Sequence, residues 1–220
     1  MQCRYPMLRG LLASGLTLFG LFAGCPAAEA QQPKRGGTLT LALEADFPSL
    51  DPLRVTALVE RQVGLAVMDP LFDIDEKGEV KPMLATGYEV LDGGKTYRIT
   101  LREGVKFHDG TAFDADAVVF NLERSLDPKN ACRCLANIDS IVGVKAVDAK
   151  TVEFKLNRPD AVLPAILSDA AGLMVSPTAV RADEKATAKK PVGTGPFVVK
   201  EWQQGHKIIL ERNPNYWVKD

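Results

Sequence analysis

The amino-acid sequence predicts an α+β protein with mixed sheets and interleaved helices. Segments in which apolar and polar residues alternate come in pairs joined by short turns, as in β-hairpins, at 88–102, 142–156 and 197–211. Apolar residues recur at helical spacing in two further segments. The first, near 56–67, precedes the hairpins, and the second, near 114–126, lies between the first two hairpins. Strands and helices do not alternate regularly, so the sequence does not predict a parallel nucleotide-binding sheet.

The predicted helices have identifiable caps and apolar faces. Thr56 is expected to cap the first helix, with Glu60 directed toward Arg61 and solvent. The expected buried positions of this helix are Leu58, Val59, Gln62, Val63 and Ala66. Asp114 is expected to cap the second helix, whose apolar stripe is Val118, Leu122 and Leu126.

The remaining segments predict shorter elements. Residues 38–43 alternate with period two, which predicts a first strand with its three leucines, Leu39, Leu41 and Leu43, on a buried face. The other predicted elements are a hairpin at 71–80, a helical turn at 82–85, a helix at 159–167, a buried strand at 172–176 and a polar linker at 182–190.

Residues 1–30 have the composition of a secretory signal peptide. Two arginines precede an apolar run at 11–23 that is too short to span a bilayer. The small residues Ala28 and Ala30 suit cleavage after Ala30. We therefore expect residues 31–220 to form the exported domain, located in the periplasm.

An alternative processing site lies earlier in the leader. The sequence LFAGC at 21–25 is similar to the lipobox of bacterial lipoproteins, with Cys25 as the lipidated residue. Phe22 departs from that pattern, since a branched aliphatic residue is expected there. Release after Ala30 is the favoured interpretation, and a lipid anchor at Cys25 is the alternative.

Charge and motifs argue against several function classes. The formal net charge is -1 with both signs scattered, so no surface for nucleic acid is expected. The glycine-rich segment 193–196 lacks the lysine and hydroxyl residue of a phosphate loop, and is expected to form a tight turn. His108 and His206 lack ligand-spaced partners, so hydrogen-bonded or surface roles are expected. The sequence predicts neither catalysis nor a cofactor.

Several residues leave alternatives open. Cys132 and Cys134 are separated by one residue, which allows either two thiols or a labile disulfide in an oxidising compartment. Three acidic residues of the loop at 44–52, Glu44, Asp46 and Asp51, either are solvated or meet a cationic group. Three aromatic residues, Trp202, Tyr216 and Trp217, either stack on a ligand or pack at a sheet edge.

Three stretches together resemble the extracellular solute-binding proteins of family 5, the oligopeptide- and dipeptide-binding group. These are SLDP at 49–52, LREGVKFHDGT at 101–111 leading into the Asp114 helix, and GTGPF at 193–197 followed by LERNPNYW at 210–217. Each stretch is weak alone, but their order and spacing are specific. The resemblance extends from Gly36 to the last residue.

The resemblance implies a periplasmic binding protein-like two-lobed fold (type II, cluster C-like), here truncated to part of the first lobe. It implies a receptor that closes on a small peptide or similar solute and delivers it to the permease and ATPase subunits of an ABC importer. Contact with the membrane is implied only through the permease or a lipid anchor at Cys25. In the family, the segment after the Leu-Asp-Pro motif lines the cleft. By this resemblance Thr56, Ala57 and Leu58 are the candidate ligand-binding residues, with Asp46 a weaker candidate.

Family members continue beyond the Tyr216-Trp217 motif into a second lobe. We therefore expect the chain to be a fragment that leaves sheet edge and apolar surface uncovered and does not bind peptides tightly. The ligand is left open among peptides, a nickel chelate, glutathione, an opine or a sugar. The alternative function is a sensory or envelope-scaffold protein that keeps the fold without transport.

Overall fold

A computed structural model describes residues 36–219, so the predicted leader lies outside the described residues. The chain divides into two units, Met1–Leu41 and Ala42–Asp220. The predicted strand at 38–43 is wrong, because no described ladder includes this segment and an extended backbone is stabilised only by pairing. Its leucines are exposed accordingly, Leu39 by 81% and Leu41 by 72%.

Helix α1 spans Leu58–Val67. Ala57, not Thr56, occupies its amino-terminal cap position. The carboxylate of Glu60 folds back and accepts hydrogen bonds from the backbone N–H groups of Thr56 at 2.6 Å and Ala57 at 2.9 Å. Glu60 is therefore buried rather than directed toward Arg61. The buried face is Val59, Glu60, Val63, Gly64 and Val67, whereas the predicted positions Leu58 and Gln62 are exposed.

The predicted hairpin at 71–80 forms as strands β1, Phe72–Ile74, and β2, Val80–Pro82. The helical turn predicted at 82–85 is wrong. Met83 and Leu84 form a bend, after which Ala85 begins β3. The backbone N–H of Ala85 donates to the carbonyl of Leu71 at 2.8 Å, so tertiary pairing outweighs the local helical preference.

Strands β3, Ala85–Leu91, and β4, Thr96–Leu101, form the predicted second hairpin. The turn contains three consecutive left-handed residues, with φ of 52° at Asp92, 63° at Gly93 and 91° at Gly94. Aspartate and glycine adopt this conformation more readily than other residues, so the Asp-Gly-Gly sequence specifies the turn.

Strands β5, Ile141–Asp148, and β6, Thr151–Leu156, complete a four-stranded sheet with order β3-β4-β6-β5. Every strand pairing within residues 36–219 is antiparallel. Helix α2, Ala115–Leu126, packs on β5 and β6. Its cap is Asp114, as predicted, and this carboxylate accepts from the N–H of Ala117 at 2.9 Å.

The segment from 159 to 190 differs most from its predicted structure. The helix expected at 159–167 shortens to α3, Leu163–Ile166. Residues 173–175 are buried but pair with no described strand. They form other hydrogen bonds instead, such as the one that the N–H of Met174 donates to the carbonyl of Asp69 at 3.3 Å. The expected linker at 182–190 contains the end of α4, Pro177–Ala182, and α5, Glu184–Thr187.

The last predicted hairpin forms as β7, Phe197–Gln203, and β8, Lys207–Arg212. Two apolar cores result. The larger lies between the four-stranded sheet and α2, and also contains α3. The smaller joins the buried face of α1 to the segment 173–175, to α4 and to β7. Helix α1 is thereby fixed along one side, and its amino-terminal end stays exposed.

Candidate functional site

A cavity of about 570 Å³ lies at the amino-terminal end of α1. Three segments far apart in sequence form its wall. The first precedes and begins α1, the second follows α2 and contains Cys134, and the third is the end of α3 with the turn after it. The lining residues are Val55, Thr56, Arg61, Arg133, Cys134, Asn137, Ala165, Ile166, Asp169, Ala170 and Ala171.

Two lining residues from different segments form an ion pair. Arg61 Nη1 lies 2.9 Å from Asp169 Oδ2, with the side chains 40% and 43% exposed. The other oxygen of Asp169 accepts from the N–H of Ala170 at 2.7 Å, which fixes the carboxylate on its own turn. Exposed ion pairs contribute little to stability. This pair orients Arg61 and balances its charge within the cavity.

Arg133 lies in a ring closed by the disulfide between Cys132 and Cys134. Both cysteines are buried, and Arg133 itself is exposed. The N–H of Arg133 donates to the carbonyl of Leu53 at 2.9 Å, which ties the ring to the segment before α1. The sequence left open whether these cysteines are thiols or bridged, and the structure has the bridge.

The predicted site residues fall in different places. Thr56 lines the cavity, and its hydroxyl lies 3.4 Å from Glu60 Oε2. Ala57 and Leu58 are exposed beside it without lining it. Asp46 is not part of this wall, since its carboxylate accepts from Gly205 N–H in the β7-β8 turn at 2.8 Å. Binding of a ligand by these four residues stays a prediction.

Sequence reasoning missed the charged lining residues Arg61, Arg133 and Asp169. Arg61 and Asp169 are 108 residues apart, and neither belongs to a recognisable motif. Arg133 had one signal, its position between two cysteines, which a bridge would convert into a fixed ring.

The side chains of the three aromatic residues Trp202, Tyr216 and Trp217 contact other side chains of the protein. Tyr216 donates its hydroxyl to Asp69 Oδ1 at 3.2 Å, and Trp217 donates its indole N–H to Asp69 Oδ2 at 2.8 Å. The guanidinium of Arg102 lies 4.4 Å from the Trp217 ring centre. Trp202 packs against Phe47, with ring centres 4.9 Å apart. Packing is thus the role that the structure gives these three aromatic residues.

Asp69 is buried where several elements meet. Burial raises the pKa of its carboxyl above the ordinary value, although hydrogen bonds from Trp217, Thr194 and Tyr216 oppose this rise. His108 is hydrogen-bonded nearby, its ring accepting from Gly193 N–H at 3.3 Å and contacting the Gly195 carbonyl at 3.0 Å. The predicted hydrogen-bonded role of His108 is confirmed.

Within residues 36–219, no group of three or more histidine, cysteine or acidic residues could hold a metal ion. Among the same residues, no helix combines the length and apolar character that crossing a bilayer requires.

Residues 79–220 match the sequence family described as bacterial extracellular solute-binding proteins, family 5 Middle. The chain belongs to family 5 of these solute-binding proteins. The glutathione-binding protein GsiB of Shigella flexneri is 34% identical over 211 residues, which cover 96% of this chain and 41% of the relative. This family 5 chain therefore spans less than half the length of that relative.

Solved structures of other solute-binding proteins have the same fold. The binding protein AgaA from A. tumefacien R10, in complex with agropinic acid, has a TM-score of 0.72 and 30% identity, over 78% of this chain and 35% of AgaA. The periplasmic binding protein DppA from Helicobacter pylori, in complex with the peptide STSA, has a TM-score of 0.71 and 31% identity, over 80% and 39%. The expected periplasmic binding protein-like fold is confirmed.

Proposed function

We propose that this chain belongs to the substrate-binding component of an ABC importer, which captures peptides or similar small solutes in the periplasm and delivers them to a permease. Membership of family 5 supports this role, together with relatives that bind glutathione, the peptide STSA and agropinic acid. All three are small polar solutes that carry carboxylates.

The cavity beside Thr56 is the observation that carries the proposal. Its volume of about 570 Å³ lies within the range of roughly 300–1,000 Å³ that is usual for small-molecule sites. Its wall contains apolar side chains, such as those of Val55 and Ile166, together with arginine, amide and hydroxyl groups. Such a wall suits a solute with charged ends, polar backbone groups and small apolar side chains.

The mechanism is capture by closure. A receptor with two lobes closes when the ligand has higher affinity for the closed form, which the ligand gains by contacting both lobes. In this interpretation the cavity at the end of α1 supplies the contacts of one lobe. The closed, loaded receptor then differs in shape from the empty one, and the permease can distinguish them.

We infer that this site binds and does not catalyse. Of the residues that line the cavity, Cys134 has its sulfur bonded to Cys132, and Thr56 has its hydroxyl 3.4 Å from the cap carboxylate of Glu60. Glu60 is engaged by two backbone N–H groups, so it is poorly placed to act as a base toward a bound solute.

Binding is tested with the chain expressed with its leader and purified from a bacterial periplasm. Glutathione, the peptide STSA and agropinic acid are each titrated and followed by two-dimensional NMR, which detects affinities as weak as about 1 mM. We expect saturable shifts at Thr56 and Arg133 for at least one solute, and none for sucrose as control. No shift with any of the three at about 10 mM, a concentration that populates even weak complexes, rejects the proposed function.

The export step is tested on the same sample. Mass spectrometry of the mature amino terminus should find Gln31, the residue after the predicted cleavage position. A terminus at a lipidated Cys25 would establish the lipoprotein alternative, and retention of Met1 would reject cleavage of the leader.

A further inference from the structure

We propose that Arg133, held in the Cys132–Cys134 ring, binds a carboxylate of the solute. The inference rests on the proposed function, because it concerns the ligand class of the same cavity. It identifies Arg133 as the residue that selects solutes with a free carboxylate over solutes whose carboxylate is blocked.

The charge balance of the cavity wall supports an anionic ligand. Two arginines and one aspartate line it, so the formal net charge of the lining residues is +1. Arg61 and Asp169 are paired at 2.9 Å and cancel one another. Arg133 makes no side-chain hydrogen bond or ion pair with any residue in the described part of the chain. The single unbalanced positive charge of the wall therefore belongs to Arg133.

The backbone around Arg133 is fixed before any ligand arrives. The disulfide closes a ring of three residues, and its two cysteines are buried on the larger apolar core. The carbonyl of Cys134 accepts from the N–H of Asn137 at 2.9 Å, and Arg133 N–H donates to Leu53. Binding therefore requires ordering of the arginine side chain alone. A preorganised group of this kind loses less entropy on binding.

The chemistry of the side chain favours carboxylate. A guanidinium presents parallel N–H donors that match the two oxygens of a carboxylate, and it stays charged at every physiological pH. The amide of Asn137 and the hydroxyl of Thr56 are lining groups that can bind the adjoining polar atoms of a peptide. A peptide with a free carboxyl terminus fits this arrangement.

The test compares the peptide STSA with its carboxyl-terminal amide, titrated by NMR into the periplasmic chain. We expect the free acid to bind about tenfold more tightly, the effect of one charge-assisted hydrogen-bonded pair at a partly solvated site. In Arg133→Gln this preference should fall to within about twofold, with the affinity for the amide unchanged. Arg133→Lys, which keeps the charge without the fork, should be intermediate.

Lys129→Gln is the matched control. It removes the same charge from the same loop, on an exposed side chain outside the cavity wall, and should keep the full preference. Equal binding of acid and amide by the unchanged protein overturns the role of Arg133 and leaves the proposed function standing. An undiminished preference in Arg133→Gln does the same. If neither form of STSA, nor glutathione or agropinic acid, binds at all, the proposed function fails and this inference with it.

Discussion

Arg124 donates two parallel hydrogen bonds to the carboxylate of Asp51, Nη1 to Oδ1 at 2.9 Å and Nη2 to Oδ2 at 2.6 Å. Both side chains are less than a tenth exposed. Asp51 is the acid of the SLDP motif, and its Oδ1 also accepts from the N–H of Leu53 at 3.0 Å. The cationic group that Asp51 of this loop meets is therefore Arg124 of the protein itself. The motif attaches the segment before α1 to α2, and so sets the position of Thr56.

Replacing Asp51 by asparagine should destabilise the fold strongly. It leaves the buried guanidinium of Arg124 without its main counter-charge, which typically costs about 3–5 kcal/mol. Chemical unfolding measures the change. Glu184→Gln is the control, since Glu184 binds the same arginine at 2.7 Å but its side chain is 55% exposed. That change should cost less than about 1 kcal/mol. Equal losses in the two variants would contradict the assignment of the main counter-charge to Asp51.

The hairpins could be predicted because their information is local. Alternation and turn residues specify β3-β4, β5-β6 and β7-β8 without reference to the rest of the chain. The strand at 38–43 was wrongly predicted because alternation does not supply a pairing partner. Residues 173–175 are buried as predicted, yet their hydrogen bonds go to Asp69 and Asn121, which no local pattern reveals.

The candidate site was only partly predictable. Thr56 came from a family resemblance, since its spacing alone suggested nothing more than a helix cap. Arg61, Asp169 and Arg133 meet only after three distant segments pack together. Charged residues at such positions look like ordinary solvated residues in the sequence. Their function depends on which ones remain unpaired after folding, and that is a property of the tertiary structure.

Gly195 should not tolerate even a methyl group. A Cβ there would lie 2.6 Å from the carbonyl carbon of Val67, and this backbone cannot move without shifting the end of α1. Gly195→Ala should therefore destabilise the fold by about 1–3 kcal/mol, as overpacking typically does. Gly87→Ala is the control, because a Cβ at Gly87 meets nothing within 4 Å. Thermal unfolding of both variants measures the difference, and a neutral Gly195→Ala would contradict the close approach.

The contribution of Asp69 to the free energy of unfolding should fall as pH rises. Its folded pKa is raised above 3.8, mainly by burial, so the folded state holds this proton more tightly than the unfolded state does. Its favourable contribution is complete below the unfolded pKa and is lost as pH rises through the folded pKa. The unfolding free energy of the unchanged protein minus that of Asp69→Asn should therefore decrease as pH rises above the ordinary pKa of 3.8.

Asp109 supplies a control of opposite sign. Burial tends to raise the pKa of its carboxyl, but hydrogen bonds from Ser176 and Thr111 outweigh burial and lower it. Its contribution is present above the ordinary pKa and lost as pH falls through the folded pKa. The corresponding difference for Asp109→Asn should therefore increase with pH below the ordinary pKa of 3.8 and level off above it. The same slope for both variants would contradict the assigned directions.

Opening the Cys132–Cys134 bridge should lower both stability and the selectivity of binding. A disulfide that closes so short a loop removes little entropy from the unfolded chain, and its loss is expected to cost about 1–2 kcal/mol. The bridge is nevertheless what fixes the backbone on both sides of Arg133. In the reduced chain this residue must be ordered at the moment of binding, so the preference for the free acid of STSA over its amide should shrink from about tenfold toward about threefold. Thiol titration before and after reduction establishes the state of the bridge. A preference that survives complete reduction would show that contacts such as Arg133 N–H to the Leu53 carbonyl are sufficient to hold the ring.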